Sequence, residues 1–282
     1  MVRVLDEERP LHSGTSAFSA VIFDMDGVVT ETASIHATAW KELFDDVLPV
    51  LSPRGWSPFD EQADYRRYVD GRSREDGIRT FLASRTLAIP EGSANDTEDT
   101  LSIVGLAAKK QSYFDRVIAK GGVMAFPDAV GLLHRLQRAH TPTAIVTSSR
   151  NCDKILAAAG VGGLFTVRVD GNDAIRLGLP GKPDPAVFLE AARLLAVRPE
   201  STVVIEDATA GVAAGAAGGF GLVVGMDREG AGESLRSAGA DVVLSDLSEL
   251  DLSQNRGRAK AQPAPPHPCG PAGSQVRQLR PG

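Results

Sequence analysis

The sequence predicts an α/β fold: a parallel-sheet domain with an α-helical domain inserted after its first strand. Three observations predict it. Short, largely apolar runs (Val21-Ile22-Phe23, Thr143-Ala144-Ile145-Val146 and Thr202-Val203-Val204-Ile205) have the pattern of strands covered on both faces. From Gly121 onward such runs alternate with helical periods of three and four, the grammar of β/α units. Between residues 33 and 122 no β-rich run occurs.

Taken in order, residues 1–13 read as a leader, with charge and Pro10 but no hydrophobic signal core. Ala20 to Phe23 form the first strand, and Thr32 to Leu48 a helix, with Ala33, His36, Ala37, Trp40, Leu43, Phe44 and Val47 on one stripe and Thr30 or Thr32 as its cap. A stretch interrupted by Pro49, Pro53, Gly55 and Pro58 follows. Then come Asp64 to Asp70, a loop from Gly71 to Gly77, and helical patterns over 78–83 and 97–118. Pro127 to Arg138 is a helix opened by a first-turn proline. Strands are expected at 143–147, 165–169, 202–205, 221–224 and 241–244, and helices at 151–159, 184–196 and 208–217. The sheet domain thus comprises residues 14–32 and 123–250, and the helical block 33–122. Residues 251–282 hold six prolines, one acid and five Arg or Lys without apolar periodicity, so a disordered tail or linker is expected.

A net charge of −6 argues against nucleic acid as the main partner. Two cysteines, Cys152 and Cys269, make no disulfide scaffold and lack metal-site spacing, so a reducing cytoplasm is the default location. No apolar run approaches the roughly 18 residues that span a bilayer, so no membrane partner is expected.

Chemistry concentrates at the strand ends. Asp24 and Asp26 close the first strand one residue apart, and Gly27 lets the backbone turn. Alone, Asp-Met-Asp-Gly also fits an ordinary strand-ending turn. Two carboxylates this close need a cation between them or a shared proton, which suggests Mg²⁺ and divided roles. Strand 143–147 ends in Thr147-Ser148-Ser149-Arg150, hydroxyls and N–H groups suited to a phosphate. Lys182 stands in a rigid loop before a helix, and strand 202–205 ends in Glu206-Asp207. Parallel strands bring such ends into one crevice, and the set makes a Mg²⁺-assisted phosphoryl-transfer site.

Phe23-Asp24-Met25-Asp26-Gly27-Val28, Thr147-Ser148-Ser149, Lys182-Pro183 and Glu206-Asp207 resemble, in order and spacing, the four motifs of the haloacid dehalogenase (HAD) superfamily. Thr30-Glu31-Thr32-Ala33 with His36 and Trp40, and Gly71-Arg-Ser-Arg-Glu-Asp, resemble its β-phosphoglucomutase-like subgroup. The resemblance implies a Rossmann-like HAD core with a helical cap, acting on a phosphorylated sugar through an aspartyl phosphate; a monomer is expected. It makes Asp24 the nucleophile and Asp26 the general acid and base. Thr147, with Ser148, would hold the transferring phosphoryl group and Lys182 would offset its charge. Asp24, Glu206, Asp207 and the main-chain carbonyl of Asp26 would ligate Mg²⁺. Arg74 would grip a second phosphate beside Gly71; His36, Trp40 and Lys110 would place substrate and cap, and Ser149, Arg150 and Asn151 would add phosphate contacts.

Several readings stay open in the sequence. Lys110 also fits a solvated helix face, and His36 a packed residue near the hinge. Gly77 stands where the family often has serine, and Arg150 where lysine is common. A phosphatase acting on a hexose phosphate or trehalose 6-phosphate shares the first half-reaction with a mutase. A non-catalytic interaction module is the remaining class, and the intact acidic motifs argue against it.

Overall fold

Residues 18–252 are described in a computed structural model of the chain. The expected leader, and all but the first two residues of the expected tail, lie outside them.

Six parallel strands form one sheet: β1 (Ala20–Asp24), β2 (Thr143–Val146), β3 (Val167–Val169), β4 (Thr202–Glu206), β5 (Leu222–Met226) and β6 (Val242–Leu244). Their order is β3-β2-β1-β4-β5-β6. The first strand is therefore central, with Val21 opposite Thr143 on one side and Val203 on the other. All five residues of β1 and of β4 are buried, which is why their sequences are continuous apolar runs. Val21, Phe23, Ile145, Val203 and Ile205 face one core with α4 (Pro127–Arg138) and α5 (Cys152–Ala158). Ile22, Ala144, Val146 and Val204 face the other, with α7 (Ala186–Leu194) and α8 (Thr209–Ala217). The chain leaves β1 toward β2 and returns toward β4 on the opposite flank, so a crevice opens beyond their carboxyl ends.

The regular elements of the insertion are all helical: α1 (Ala33–Leu51), α2 (Arg74–Ser84) and α3 (Ile103–Gly121), with a π-helix at Tyr65–Val69. It has its own core, in which Trp40, Phe44, Phe59 and Phe81 stack. Two chain passages join it to the sheet. They run side by side, with Phe126 N–H on Val29 O and Glu31 N–H on Met124 O, both at 2.9 Å.

Three local expectations change. The loop expected over 71–77 is half helix: α2 starts at Arg74, and Ser73 caps it by accepting from Asp76 N–H at 3.2 Å. Ser-x-x-Asp was the missed signal. Thr32 stands at the α1 N-cap position without making a side-chain cap bond; its hydroxyl points to the site instead. Two seven-residue helices, α6 (Gly171–Leu177) and α9 (Gly232–Ala238), went unread because two turns carry little periodicity. For α6 the signal was the reciprocal cap Asp170-x-x-Asp173.

Candidate active site

Asp24 ends β1 and Glu206 ends β4, and Lys182 Nζ reaches between them, donating to Asp24 Oδ1 and, at 2.6 Å, to Glu206 Oε1. All three are buried. Burial works to depress the lysine, but the flanking carboxylates of Asp24 and Glu206 outweigh it and hold the ammonium charged. Burial pushes Asp24 well above the usual carboxylate range, against the pull of Lys182. Asp207 is raised too, by burial and then by Asp70, Glu206 and Asp24. Asp24, Glu206 and Asp207 place oxygens within 4.8 Å of one another. Three carboxylates against one ammonium leave excess negative charge, a hard-oxygen donor set that suits a divalent cation. Backbone approach is close here: a Cβ on Gly27 (φ +80°) would lie 1.7 Å from Asp207 Oδ2, and one on Gly211 1.6 Å from Glu206 Oε1. Both acids rest on glycine.

Asp26 is held by different partners. Thr32 donates to its Oδ1, Thr147 Oγ1 to its Oδ2 at 3.2 Å, and His36 Nε2 lies 3.3 Å from Oδ1. Burial alone would raise this carboxyl; His36, Thr32 and Lys110 together bring it down to about 2. Asp26 adds no side chain to the metal-type cluster. His36 stacks on Phe114, and its Nδ1 is 2.6 Å from Lys110 Nζ. Burial lowers the pKa of both His36 and Lys110. Lys110 is 1% exposed and lies over the Trp40 and Phe114 rings, so the solvated-face reading is excluded; Lys109 is the surface residue, paired with Asp46.

The cap closes over these groups. Asp24, Asp26, His36, Trp40, Gly71, Arg74, Lys110, Thr147, Ser148, Ser149 and Asp207 line one cavity of about 50 Å³, room for a few waters and not for a sugar phosphate. Ser148 Oγ donates to Gly71 O at 2.9 Å. Arg74 is half-buried and, among the described residues, has no hydrogen bond or ion pair. Burial and the like charge of Arg150 lower its pKa to about 10.

Two expected substrate contacts stand elsewhere. Arg150 is paired with Glu75 at 2.5 Å and Asn151 exchanges amide bonds with Gln111. Both line the neighbouring groove rather than the cavity, because the closed cap supplies their partners. Gly77 makes room for the Trp40 indole, whose Cζ2 a Cβ would meet at 3.1 Å. Sequence reasoning missed Tyr65, Asp70 and Arg72 in the cavity wall, which have no strand-end or helix-start signature. It also missed Arg228, which donates to Gly27 O at 3.0 Å and Val28 O at 3.3 Å, reaches both Asp128 carboxylate oxygens from Nη2 at 3.1 Å and lies over Phe126.

Acidic strand ends, a buried lysine and a hydroxyl loop at the carboxyl edge of a parallel sheet, under a helical cap, define a phosphotransfer enzyme. The chain belongs to the haloacid dehalogenase-like hydrolase family, whose sequence profile matches residues 18–219. It is 43% identical over 237 residues to a β-phosphoglucomutase of Mycobacterium bovis, covering 82% of this chain and 90% of that one. A validoxylamine A 7′-phosphate phosphatase of Streptomyces hygroscopicus is 28% identical over 235 residues, covering 83% and 96%. The fold matches the crystal structure of a Clostridium difficile β-phosphoglucomutase with a TM-score of 0.65 at 24% identity, covering 83% and 93%. Among the described residues no helix is long and apolar enough to cross a membrane.

Proposed function

We propose that the protein is a Mg²⁺-dependent sugar-phosphate mutase that converts β-glucose 1-phosphate to glucose 6-phosphate. The observation that carries the reading is Arg74. It is a half-buried guanidinium that, among the described residues, makes no hydrogen bond or ion pair, and it lines the same cavity as Asp24 and Asp26. An unpaired cation opposite the reacting carboxylates suits a second, non-reacting phosphate, which a bisphosphate has and a simple monoester lacks. The likeness to a mycobacterial β-phosphoglucomutase over most of both chains supports it.

In this reading Asp24 carries the phosphoryl group. The sugar 6-hydroxyl attacks the phospho-Asp24 phosphorus, its proton passes to Asp26, and the P–O bond to Asp24 breaks to leave the bisphosphate. After the sugar turns end for end, Asp24 attacks the 1-phosphate and Asp26 returns the proton to the departing C1 oxygen. Lys182 neutralises charge throughout, and Thr147 orients Asp26 until the phosphoryl group takes its hydroxyl. Asp24, Glu206 and Asp207, with the main-chain carbonyl of Asp26, would hold Mg²⁺, which supplies charge neutralisation for the phosphoryl oxygens. The cavity's small volume implies that the cap opens to admit substrate.

The assay supplies β-glucose 1-phosphate, Mg²⁺ and catalytic glucose 1,6-bisphosphate. Glucose 6-phosphate is expected, and the reaction should stop in EDTA. Inorganic phosphate without glucose 6-phosphate would instead support the phosphatase reading, which the likeness to a validoxylamine A 7′-phosphate phosphatase over most of the chain keeps specific.

A further inference from the structure

Arg228, in the loop after β5, lies outside the reaction cavity and has no part in the chemistry above. Its partners nevertheless converge on the turn that carries that chemistry. Nε donates to Gly27 O at 3.0 Å and Nη2 to Val28 O at 3.3 Å, and Nη2 also meets both Asp128 oxygens at 3.1 Å. The guanidinium carbon stands 3.7 Å from the centre of the Phe126 ring. Asp128 is fixed in its turn by the main-chain N–H groups of Ala129 and Leu247, both at 2.9 Å. The loop that carries Arg228 is braced as well: Asp227 accepts from Ala231 N–H at 2.6 Å and Gly232 N–H at 2.9 Å. One planar cation thus spans both chain passages that lead to the cap. Each of these partners lies outside the insertion, so the grip does not depend on the position of the cap.

The turn after β1 needs such a hold. Its own bonds use Met25 O, which takes Val29 and Thr30 N–H, and Thr30 O, which takes Gly27 N–H, all at 2.9 Å. The carbonyls of Gly27 and Val28 are taken by Arg228 instead. Gly27 is also where the turn backs the acidic cluster, since a Cβ there would overlap Asp207 Oδ2, and Asp26 is the residue before it. A shift of Gly27 therefore disturbs the seat of Asp207 and the aim of Asp26 together. The charge of Arg228 is matched by Asp128, and the two side chains are only 19% and 11% exposed, so the effect of Arg228 on the site runs through backbone geometry. Resting on the Mg²⁺-dependent phosphotransfer reading above, we infer that Arg228 is a positioning residue, which holds Asp207 and Asp26 in place through the carbonyls of Gly27 and Val28.

Arg228→Ala leaves Asp128 without its cation, so Arg228→Lys, which keeps one, carries the test. Lysine has no planar fork to reach two carbonyls and a carboxylate at once. Partners that orient metal ligands typically set affinity or activity by about 10- to 100-fold. Arg228→Lys should therefore raise the Kd for Mg²⁺, read by calorimetry without substrate, about 10-fold or more. It should lower kcat about 10- to 100-fold and leave KM for β-glucose 1-phosphate within about twofold, because Arg74 and the cavity wall are untouched. Glu229→Ala removes from the same loop the carboxylate that takes Arg66 of the cap, and should leave the Mg²⁺ Kd at the wild-type value. A merely structural Arg228 would lower Tm in Arg228→Lys and leave Kd and kcat of the folded protein unchanged, which overturns the inference. So does an equal rise of Kd in Glu229→Ala, which would assign the effect to the loop as a whole. Wild type that binds Mg²⁺ but yields inorganic phosphate and no glucose 6-phosphate overturns the mutase reading alone, and the Mg²⁺ comparison still decides on Arg228. Wild type that binds no Mg²⁺ overturns both.

Discussion

Two aspartates one residue apart acquire opposite characters from their surroundings. Asp24 ends inside the sheet, where burial dominates and lifts it; Asp26 lies beyond the sheet, where His36, Thr32 and Lys110 override burial and bring it to about 2. Carboxylates driven apart in this way take separate roles in acid-base chemistry. In the proposed reaction ionised Asp26 would receive a hydroxyl proton, and the negative charge of an arriving phosphoryl group would move its pKa up so that it can return the proton. Asp26→Asn should lower turnover about 10²- to 10⁴-fold, because an amide shuttles no proton, while Mg²⁺ binding measured by calorimetry persists. The same shift has a stability consequence. A carboxyl depressed in the folded state contributes stability that is present above its unfolded pKa and lost as pH falls through the folded one. Wild type should therefore lose on the order of 2 kcal/mol between about pH 4 and pH 2 that Asp26→Asn does not, read from urea unfolding at each pH.

At the scale of elements, the turn after β1 is the critical joint. Gly27 combines a positive φ with an Asp207 oxygen where a side chain would stand, and Arg228 clamps the carbonyls of Gly27 and Val28 from the loop after β5. Gly27→Ala should cost about 1–2 kcal/mol from backbone strain alone. Mg²⁺ is expected to raise the Tm of the wild type, and by displacing Asp207 this variant should abolish that rise, read by thermal unfolding with and without the cation. The glycine was legible as a turn residue; its contact with Asp207 was not, since 180 residues of chain separate them. Helices were read best where they are long and amphipathic. Pro127–Arg138 matches residue for residue because proline and the final arginine mark its ends. In the cap loop Ser73-Arg-Glu-Asp76 suits a solvated turn as well as a helix start, and the Ser73 cap on Asp76 N–H settles it as a helix start, with Gly77 packed against Trp40.

Across the molecule, function depends on how tightly cap and core close. Ser148 to Gly71, Arg150 to Glu75, Asn151 to Gln111 and Arg66 to Glu229 all cross between them. Partly exposed ion pairs contribute about 1 kcal/mol or less each, so these links hold the cap reversibly. In the proposed reaction closure would exclude water, since a phospho-Asp24 that met water before sugar would be hydrolysed. Arg150→Ala removes one link at the cavity's edge. It should raise the ratio of inorganic phosphate to glucose 6-phosphate several-fold, measured with β-glucose 1-phosphate and catalytic bisphosphate; an unchanged ratio would show that this pair does not govern water access.

What the sequence by itself determined is the fold class and the chemistry at the sheet's edge. Strand burial and parallel order follow from local apolar runs and β/α alternation, and those two features send Asp24, Thr147 and Glu206 to one crevice. What only the tertiary structure decided lies in the cap: that Lys110 is buried against His36, that Arg74 makes no hydrogen bond or ion pair among the described residues, that Arg150 and Asn151 are taken up by Glu75 and Gln111, and that Asp70 and Tyr65 enter the cavity wall. The Lys110–His36 contact depends on how α1 and α3 pack within the cap and the others on how cap and core meet, and no local periodicity encodes either.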